Sequence, residues 1–301
     1  MSVTGHARAV TARGPASEAP VVHAAMPGSA SPPGEHALRV DRLRKQFDTA
    51  EGAFVAVDGV SFAVRHGEFV SVIGPSGCGK STLFNIIGGL LGGHEGEVRV
   101  GNDLVTEPHP SIGMVFQEES TFPWRTVLEN VAFPLEIAGV PRVERSGRAR
   151  HFIELVGLAG FERSYPAELS GGMRQRVSIA RTLVSEPRIL LMDEPFAALD
   201  EQTRLLLGDK VLQIQQALSQ TTLLITHNIT EAVQLSDRVL VMTYRPGRLK
   251  RVVDIELPRP RSSEVLGSDA FGRYVAAIWN DLREEANRGI RDVETRARPA
   301  R

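Results

Sequence analysis

Cysteine is nearly missing from this sequence: Cys78 is the only one. One thiol cannot close an intrachain disulfide or furnish a multi-cysteine zinc site, so a disulfide-stapled secreted fold is excluded and a reducing compartment is expected. Long apolar runs are absent as well. The best candidate, Ser81 to Gly93, falls short of the roughly 18 residues a span requires and is broken by glycines, so the chain is not expected to cross a membrane itself. Neither sign of charge dominates, with 35 Lys and Arg against 36 Asp and Glu. A near-neutral chain has no bulk attraction for nucleic acid or anionic lipid. Aromatic residues are few, and the segment 1–36 has none.

That segment takes 21 of its 36 positions from Ala, Pro, Gly and Ser. It cannot bury enough apolar surface to offset its ordering entropy, and five prolines interrupt any signal-peptide core, so it is expected to be a disordered tail. The rest of the 301 residues is ample for one large α/β domain with attachments or two ordinary domains.

From about Ala37 the texture changes to short β-rich runs. Leu38 to Phe47, Phe54 to Val64, Phe69 to Gly74, Glu97 to Val100, Ile112 to Gln117, Arg188 to Glu194, Thr222 to His227 and Arg238 to Thr243 all read as strands. Helical patterns lie between several of them, at Lys80 to Leu91, Gly171 to Ser185 and Glu201 to Leu218. Strands interleaved with helices predict a mainly parallel sheet with crossover connections. Residues 118–169 read instead as consecutive helices, an inserted α-helical subdomain. The last stretch, 287–301, carries five Arg and two acids and is expected to be a flexible basic tail.

The run GPSGCGKST, Gly74 to Thr82, follows an apolar strand and opens a helix. Strand, glycine-rich loop, Lys, hydroxyl and helix in that order define a P-loop. Gly74, Gly77 and Gly79, with Pro75, Ser76 and Cys78 between them, let backbone N–H groups curl around phosphate oxygens, and the helix N-terminus adds a partial charge of about +0.5. Lys80 would neutralise the β- and γ-phosphates, and Ser81, followed by Thr82, would hold Mg²⁺. Cys78 reads as an incidental small residue of the loop. Downstream, RILLMDEP (Arg188 to Pro195) is a buried-type strand ending in two carboxylates. In a P-loop enzyme Asp193 would position Mg²⁺ and Glu194 would polarise the attacking water.

The decisive run is LSGGMRQR, Leu169 to Arg176. With it the sequence resembles the ATP-binding subunits of ABC transporters, over about residues 37–286. The implied fold is an α/β P-loop NTPase of ABC type, with a mainly parallel sheet core, an antiparallel β subdomain and the helical insert. Residues 37–257 would form the nucleotide-binding domain and 258–286 a C-terminal helical extension. Ser170, Gly171 and Gly172 open a helix whose first N–H groups point at an anion. In the family that anion is the γ-phosphate held by the opposite subunit, so a homodimer makes two composite sites. The resemblance gives Gln117 the part of the Q-loop glutamine, reaching Mg²⁺ and the attacking water. Asp200, closing AALD, matches the D-loop that links the two sites, and His227 the switch histidine beside the γ-phosphate. Phe47 fits the aromatic adenine platform or, alternatively, is a core phenylalanine of an early strand.

Within ABC subunits the likeness extends to ATPases of nitrate, sulfonate and taurine importers, through Val115 to Glu136, Asp193 to Arg204 and Phe271 to Glu285. It implies ATP and Mg²⁺ as cofactors, transmembrane permease subunits and a solute-binding protein as partners, no nucleic acid, and a peripheral place on the cytoplasmic face of the membrane. Asn228, where Asp commonly follows the histidine, and Glu119 to Phe122, where a small-apolar run is usual, depart from the pattern. Trp124 is either part of the groove that receives the permease or a core residue of the helical insert. A soluble ABC ATPase acting on DNA or ribosomes is the alternative. The 113 positions from Lys80 to Asp193 leave no room for a long coiled coil, and a single motif set argues the same way.

Overall fold

The structure is a computed structural model that describes residues 22–24, 36–50, 52–118, 120–197, 199–259, 261 and 263–297. In chain order the first elements are β1 (Val22–Ala24), β2 (His36–Thr49), β3 (Gly52–Arg65), β4 (Phe69–Ile73), α1 (Lys80–Ile87), β5 (Glu95–Val100), β6 (Asp103–Leu104) and β7 (Ile112–Val115). Helices α2 (Val127–Ile137), α3 (Arg142–Leu155) and α4 (Gly171–Leu183) follow, then β8 (Ile189–Asp193), α5 (Glu201–Leu218), β9 (Thr221–Ile225) and α6 (Ile229–Leu235). The chain closes with β10 (Arg238–Met242), β11 (Leu249–Asp254) and α7 (Asp269–Ala297).

Two sheets result. The larger runs β1-β11-β10-β4-β9-β8-β7, parallel from β10 to β7 and antiparallel where β11 and β1 join the edge. The smaller is antiparallel, in the order β3-β2-β5-β6. Strands β4, β8 and β9 are buried along their whole length, because layers cover both faces of the parallel sheet. This is why FVSVI, ILLMD and TTLLI run without polar alternation. One face of the sheet packs with the helical layer around Val131, Leu135, Phe152, Ile153, Met192 and Phe196. Between the two sheets lie Leu38, Leu43, Val57, Phe84, Ile87 and Leu191. A third cluster joins α6 and α7 to the edge through Val233, Val239, Phe271, Tyr274 and Ile278.

The eight expected strands are present, and α2, α3 and a short 3₁₀ turn at Pro166–Glu168 occupy the expected helical insert. Besides β1, three elements escaped the sequence reading. β11, LKRVVD, carries three charges in six residues, and β6 and α6 have only two and seven residues. The tails need correction. Val22–Ala24 forms a strand against β11 within the segment expected to be disordered; the rest of 1–35 lies outside the described residues. Residues 287–297, expected to be part of a flexible tail, continue α7. Glu285, 1% exposed, accepts from Tyr244 N (3.0 Å) and Lys250 (2.9 Å) and forms an ion pair with Arg288 (3.2 Å), which ties the helix down beyond residue 286. Gly289 packs directly on the Tyr244 ring. Residues 298–301 lie outside the described residues. Among the described residues no helix is long and apolar enough to cross a membrane.

Candidate functional site

Register brings the carboxyl ends of three strands to one level: Val72 pairs with Ile225, and Ile225 with Asp193. In open parallel sheets ligands bind at this edge. The chain leaves β4 through Gly74 and re-enters a helix at Lys80. Gly77 and Gly79 adopt φ of +73° and +96°. A Cβ on Gly79 would lie 2.6 Å from the Ala56 carbonyl oxygen, so the loop's path requires glycine there. Gly79 also supplies no side-chain cap, which leaves the first N–H groups of α1 for an anion. Lys80 curls back over the loop, its Nζ donating to the carbonyls of Gly74 (2.8 Å) and Pro75 (3.1 Å). Ser76, Gly77 and Ser81 are exposed around this cradle, with Pro75 and Thr82 half-buried. Cys78 points inward, fully buried against Gly74 and Lys80, and burial pushes its thiol above the ordinary range. Only its backbone could face a ligand.

Asp193 ends β8 facing the same cradle. Burial raises its carboxyl pKa, while a hydrogen bond from Ser81 and the positive charge of Lys80 pull it back. Its Oδ1 is buried with no hydrogen-bond partner. An orphaned carboxylate oxygen beside a hydroxyl is an oxygen donor set suited to Mg²⁺, so the residues present fit that ion. Among the described residues no cluster of three His, Cys, Asp or Glu could form an all-protein metal cage. Such an ion would complete its shell from phosphate and water.

Glu194 takes a positive φ of +45°, rare outside glycine, and its N–H donates to the Ile225 carbonyl at 3.0 Å. The turn aims its carboxylate at His227, with Oε2 and Nδ1 3.1 Å apart. Asn228 caps α6 by accepting from the Glu231 N–H (3.1 Å). Asp and Asn cap about equally well, so this departure from the pattern costs the helix nothing. Gln117 stands exposed on the turn after β7, whose Val115 pairs with Met192 of β8; two residues on, Gln117 and Glu194 leave their strands at corresponding positions.

A second group lies at the first turns of α4 and α5. Ser170 caps α4, accepting from the Met173 N–H at 3.3 Å, and Asp200 caps α5, accepting from the Thr203 N–H at 2.9 Å. Gly171 and Gly172 form the first turn of α4, and Gly172 packs so closely on Leu199 that a Cβ would meet it at 3.0 Å. The LSGG turn and the AALD segment are thus one contiguous unit.

Phe47 pairs with Phe54 across the β2–β3 hairpin, half-buried on the inter-sheet core, with the Lys45 ammonium 5.0 Å from its ring centroid. Trp124 is 72% exposed, which removes it from the core of the helical insert. It stacks on Phe122, and the buried Asn130 side chain fixes that turn through Phe122, Arg125 and Thr126. The sequence reading missed Arg245, which lies over the Phe54 ring at 5.2 Å and donates from Nε to the Gly77 carbonyl (3.1 Å). It arrives from the β10–β11 turn, far from any motif, so no local signal could have found it. Arg204 and Glu231, which line a recess behind Glu194 and His227, were missed for the same reason.

A phosphate loop between β4 and α1, facing an acidic strand end across a parallel sheet, defines a P-loop ATPase. The comparisons narrow the class. Residues 57–197 match the ABC transporter family. The chain is 44% identical over 252 residues to a nitrate import ATP-binding protein of Synechocystis, covering 82% of this chain and 95% of that one. It is 43% identical over 225 residues to an aliphatic sulfonates import ATP-binding protein of Bacillus cereus, covering 75% and 88%. The dimeric post-hydrolysis structure of an ATP-binding cassette bound to ADP and phosphate superposes with a TM-score of 0.65 at 32% identity, over 73% of this chain and all of that one. The chain belongs to the ABC transporter family. It is the ATP-binding subunit of a transporter, an ATPase whose hydrolysis is coupled to transmembrane transport.

Proposed function

We propose that this subunit drives uptake of a small anionic solute of the nitrate, sulfonate or taurine type. It works with transmembrane permease subunits and a solute-binding protein, at the cytoplasmic face of the membrane. The observation that carries the ATPase half is the convergence of Lys80, Ser81, Asp193, Glu194 and His227 at one edge of the parallel sheet. The import half is supported by the nitrate and sulfonate importers among its relatives.

In this reading the backbone of Gly74 to Gly79 and the N-terminus of α1 bind the phosphates of ATP, with Lys80 turning its ammonium from the loop carbonyls onto them. Phe47 stacks on the base, a contact worth about 1–3 kcal/mol. Asp193 and Ser81, with Gln117, would hold Mg²⁺, which would supply charge neutralisation to the phosphates. Glu194 accepts the proton of the attacking water, and His227 fixes the Glu194 carboxylate and faces the γ-phosphate. Ser170, Gly171, Gly172 and Asp200 act in trans: the exposed N-terminus of α4 in one subunit closes on the nucleotide of its partner. Closure on ATP and reopening after hydrolysis move the Gln117 turn and Trp124 beside it, where the permease docks.

The test is transport by the assembled complex in vesicles, with ATP inside and labelled solute outside. Accumulation of nitrate, an alkanesulfonate or taurine that disappears with Lys80→Ala is the expected result. Accumulation of none of these, with uptake of a neutral or cationic solute instead, would overturn the solute class.

A further inference from the structure

The turn from β10 to β11 covers the outer side of the phosphate loop. Its backbone is fixed to β3, where the Gly247 N–H donates to the Ala56 carbonyl (2.9 Å) and the Asp58 N–H to the Gly247 carbonyl (3.0 Å). From the other direction α7 holds it, with Glu285 accepting from the Tyr244 N–H and Gly289 against the Tyr244 ring. A Cβ on Gly247 would collide with the Cys78 carbonyl, so turn and loop are in direct contact. Arg245 crosses from one to the other. Its Nε donates to the Gly77 carbonyl at 3.1 Å, its guanidinium carbon stands 5.2 Å from the Phe54 ring centroid, and a Cβ on Gly77 would meet its Nη2 at 2.8 Å. In a trans peptide the C=O and N–H point in opposite directions. Here the N–H opposite the gripped carbonyl, that of Cys78, donates at 3.3 Å to the Pro75 carbonyl, which also accepts from Lys80 Nζ at 3.1 Å. The Gly77–Cys78 peptide therefore shows its carbonyl to Arg245 and its N–H to the side where the Lys80 ammonium lies.

We propose that Arg245 is a positioning residue of the phosphate loop: its bond to the Gly77 carbonyl holds that peptide with the Cys78 N–H turned to the side where the phosphates bind. The proposal rests on the reading of Gly74 to Lys80 as the phosphate cradle. Such a loop binds an anion only while its N–H groups converge, and glycine, which gives the loop its path, also leaves its peptides free to rotate. A donor on the outer carbonyl removes that freedom. A charged donor makes a hydrogen bond roughly twice as strong as a neutral one, and the Phe54 ring keeps the guanidinium in place. The turn does not need Arg245 for its own position, because its anchors on β3 and α7 are made by other groups. The side chain serves the loop, not the fold.

The experiment is calorimetric titration of the full chain with ADP and Mg²⁺, for wild type, Arg245→Met, Arg245→Gln, Arg248→Ala and Lys80→Ala, with steady-state ATP hydrolysis by the same proteins. Arg245→Met keeps an unbranched side chain of similar reach and removes the donor. Arg245→Gln restores an N–H donor as many bonds from the backbone as Nε, without the charge. Arg245→Met should weaken ADP binding about tenfold, and Arg245→Gln should stay within about threefold of wild type. In both, kcat at saturating ATP should change less than about twofold, because the loop N–H groups hold the phosphates in ground and transition state alike. Arg248, on the same turn, pairs with Asp58 at 2.9 Å, and Arg248→Ala should bind ADP as wild type does. An Arg245→Gln chain that binds ADP as weakly as Arg245→Met would overturn the proposal. So would an equal loss in Arg248→Ala, which would assign the effect to the anchorage of the turn, or a fall in kcat with ADP affinity intact. Should Arg245→Met fail to fold, Arg245→Ala takes its place. Undiminished ADP binding by Lys80→Ala would instead refute the underlying reading of the phosphate cradle, a separate outcome.

Discussion

Asp193 keeps a carboxylate where the protein alone gives it too little. One oxygen is orphaned and burial raises the pKa, with only Ser81 and Lys80 to compensate. A raised carboxylate pKa means the charged form destabilises the fold at neutral pH, and the penalty is relieved as pH falls through the folded pKa. Asp193→Asn should therefore stabilise the nucleotide-free chain, seen as a rise in Tm, while impairing hydrolysis. An unchanged or lowered Tm in thermal unfolding would contradict this. The residues of this cluster were legible because each sits at or just past the end of an apolar strand, where composition switches abruptly from Val, Ile and Leu to Gly, Asp, Glu or His. Glu231 and Arg245 were not. An acid in a helix's first turn and an Arg in a turn are ordinary surface residues until tertiary packing buries one and lays the other on the phosphate loop.

At the scale of elements, the loop from β4 to α1 is fixed by a few backbone positions that only glycine can occupy cheaply. Gly79→Ala combines a positive φ with a 2.6 Å approach to the Ala56 backbone, so the loop must shift and ATP affinity should fall by more than about tenfold. Gly139 has a similar φ of +74° but open space around its Cβ, and Gly139→Ala should leave nucleotide affinity unchanged. Equal affinities for both variants in a titration would contradict the packing argument. Strands with uninterrupted apolar runs were read correctly because both their faces are covered. β11 was not, because its Lys250 and Arg251 pair with Glu284, Glu285 and Asp281 of α7, and LKRVVD lost its strand signature to these charges. The extent of α7 was obscured likewise. Its last turns are rich in Arg and Glu, and the contacts that anchor it, Glu285 to Lys250 and Gly289 to Tyr244, come from strands and turns some 35 to 45 residues upstream.

At the scale of the molecule, the site separates into two groups. Lys80, Asp193, Glu194 and His227 form one; Ser170, Gly172, Leu199 and Asp200 form the other, each built with its own caps and packing. In the second, the Ser170 hydroxyl caps its own helix, while the first N–H groups of α4 carry an open partial positive charge at an exposed position. That arrangement suits a second copy of the chain better than a ligand held by one chain alone. Among the described residues no helix is able to cross a membrane, and Trp124 is exposed on the helical insert, where the proposed permease contact would lie. The sequence left Trp124 as either part of a permease groove or a core residue of the helical insert, and its exposure takes it out of the core, because a ring so open to water contributes little to packing.

The most direct measurement of the account is the sedimentation of the full-length Glu194→Gln chain with ATP and Mg²⁺, alone and combined with Ser170→Arg. The composite-site reading predicts a stable dimer that forms only with ATP and is abolished by Ser170→Arg, while ATP still binds the monomer with little loss. A Glu194→Gln chain that binds ATP yet stays monomeric at every concentration, or a dimer indifferent to Ser170→Arg, would contradict it.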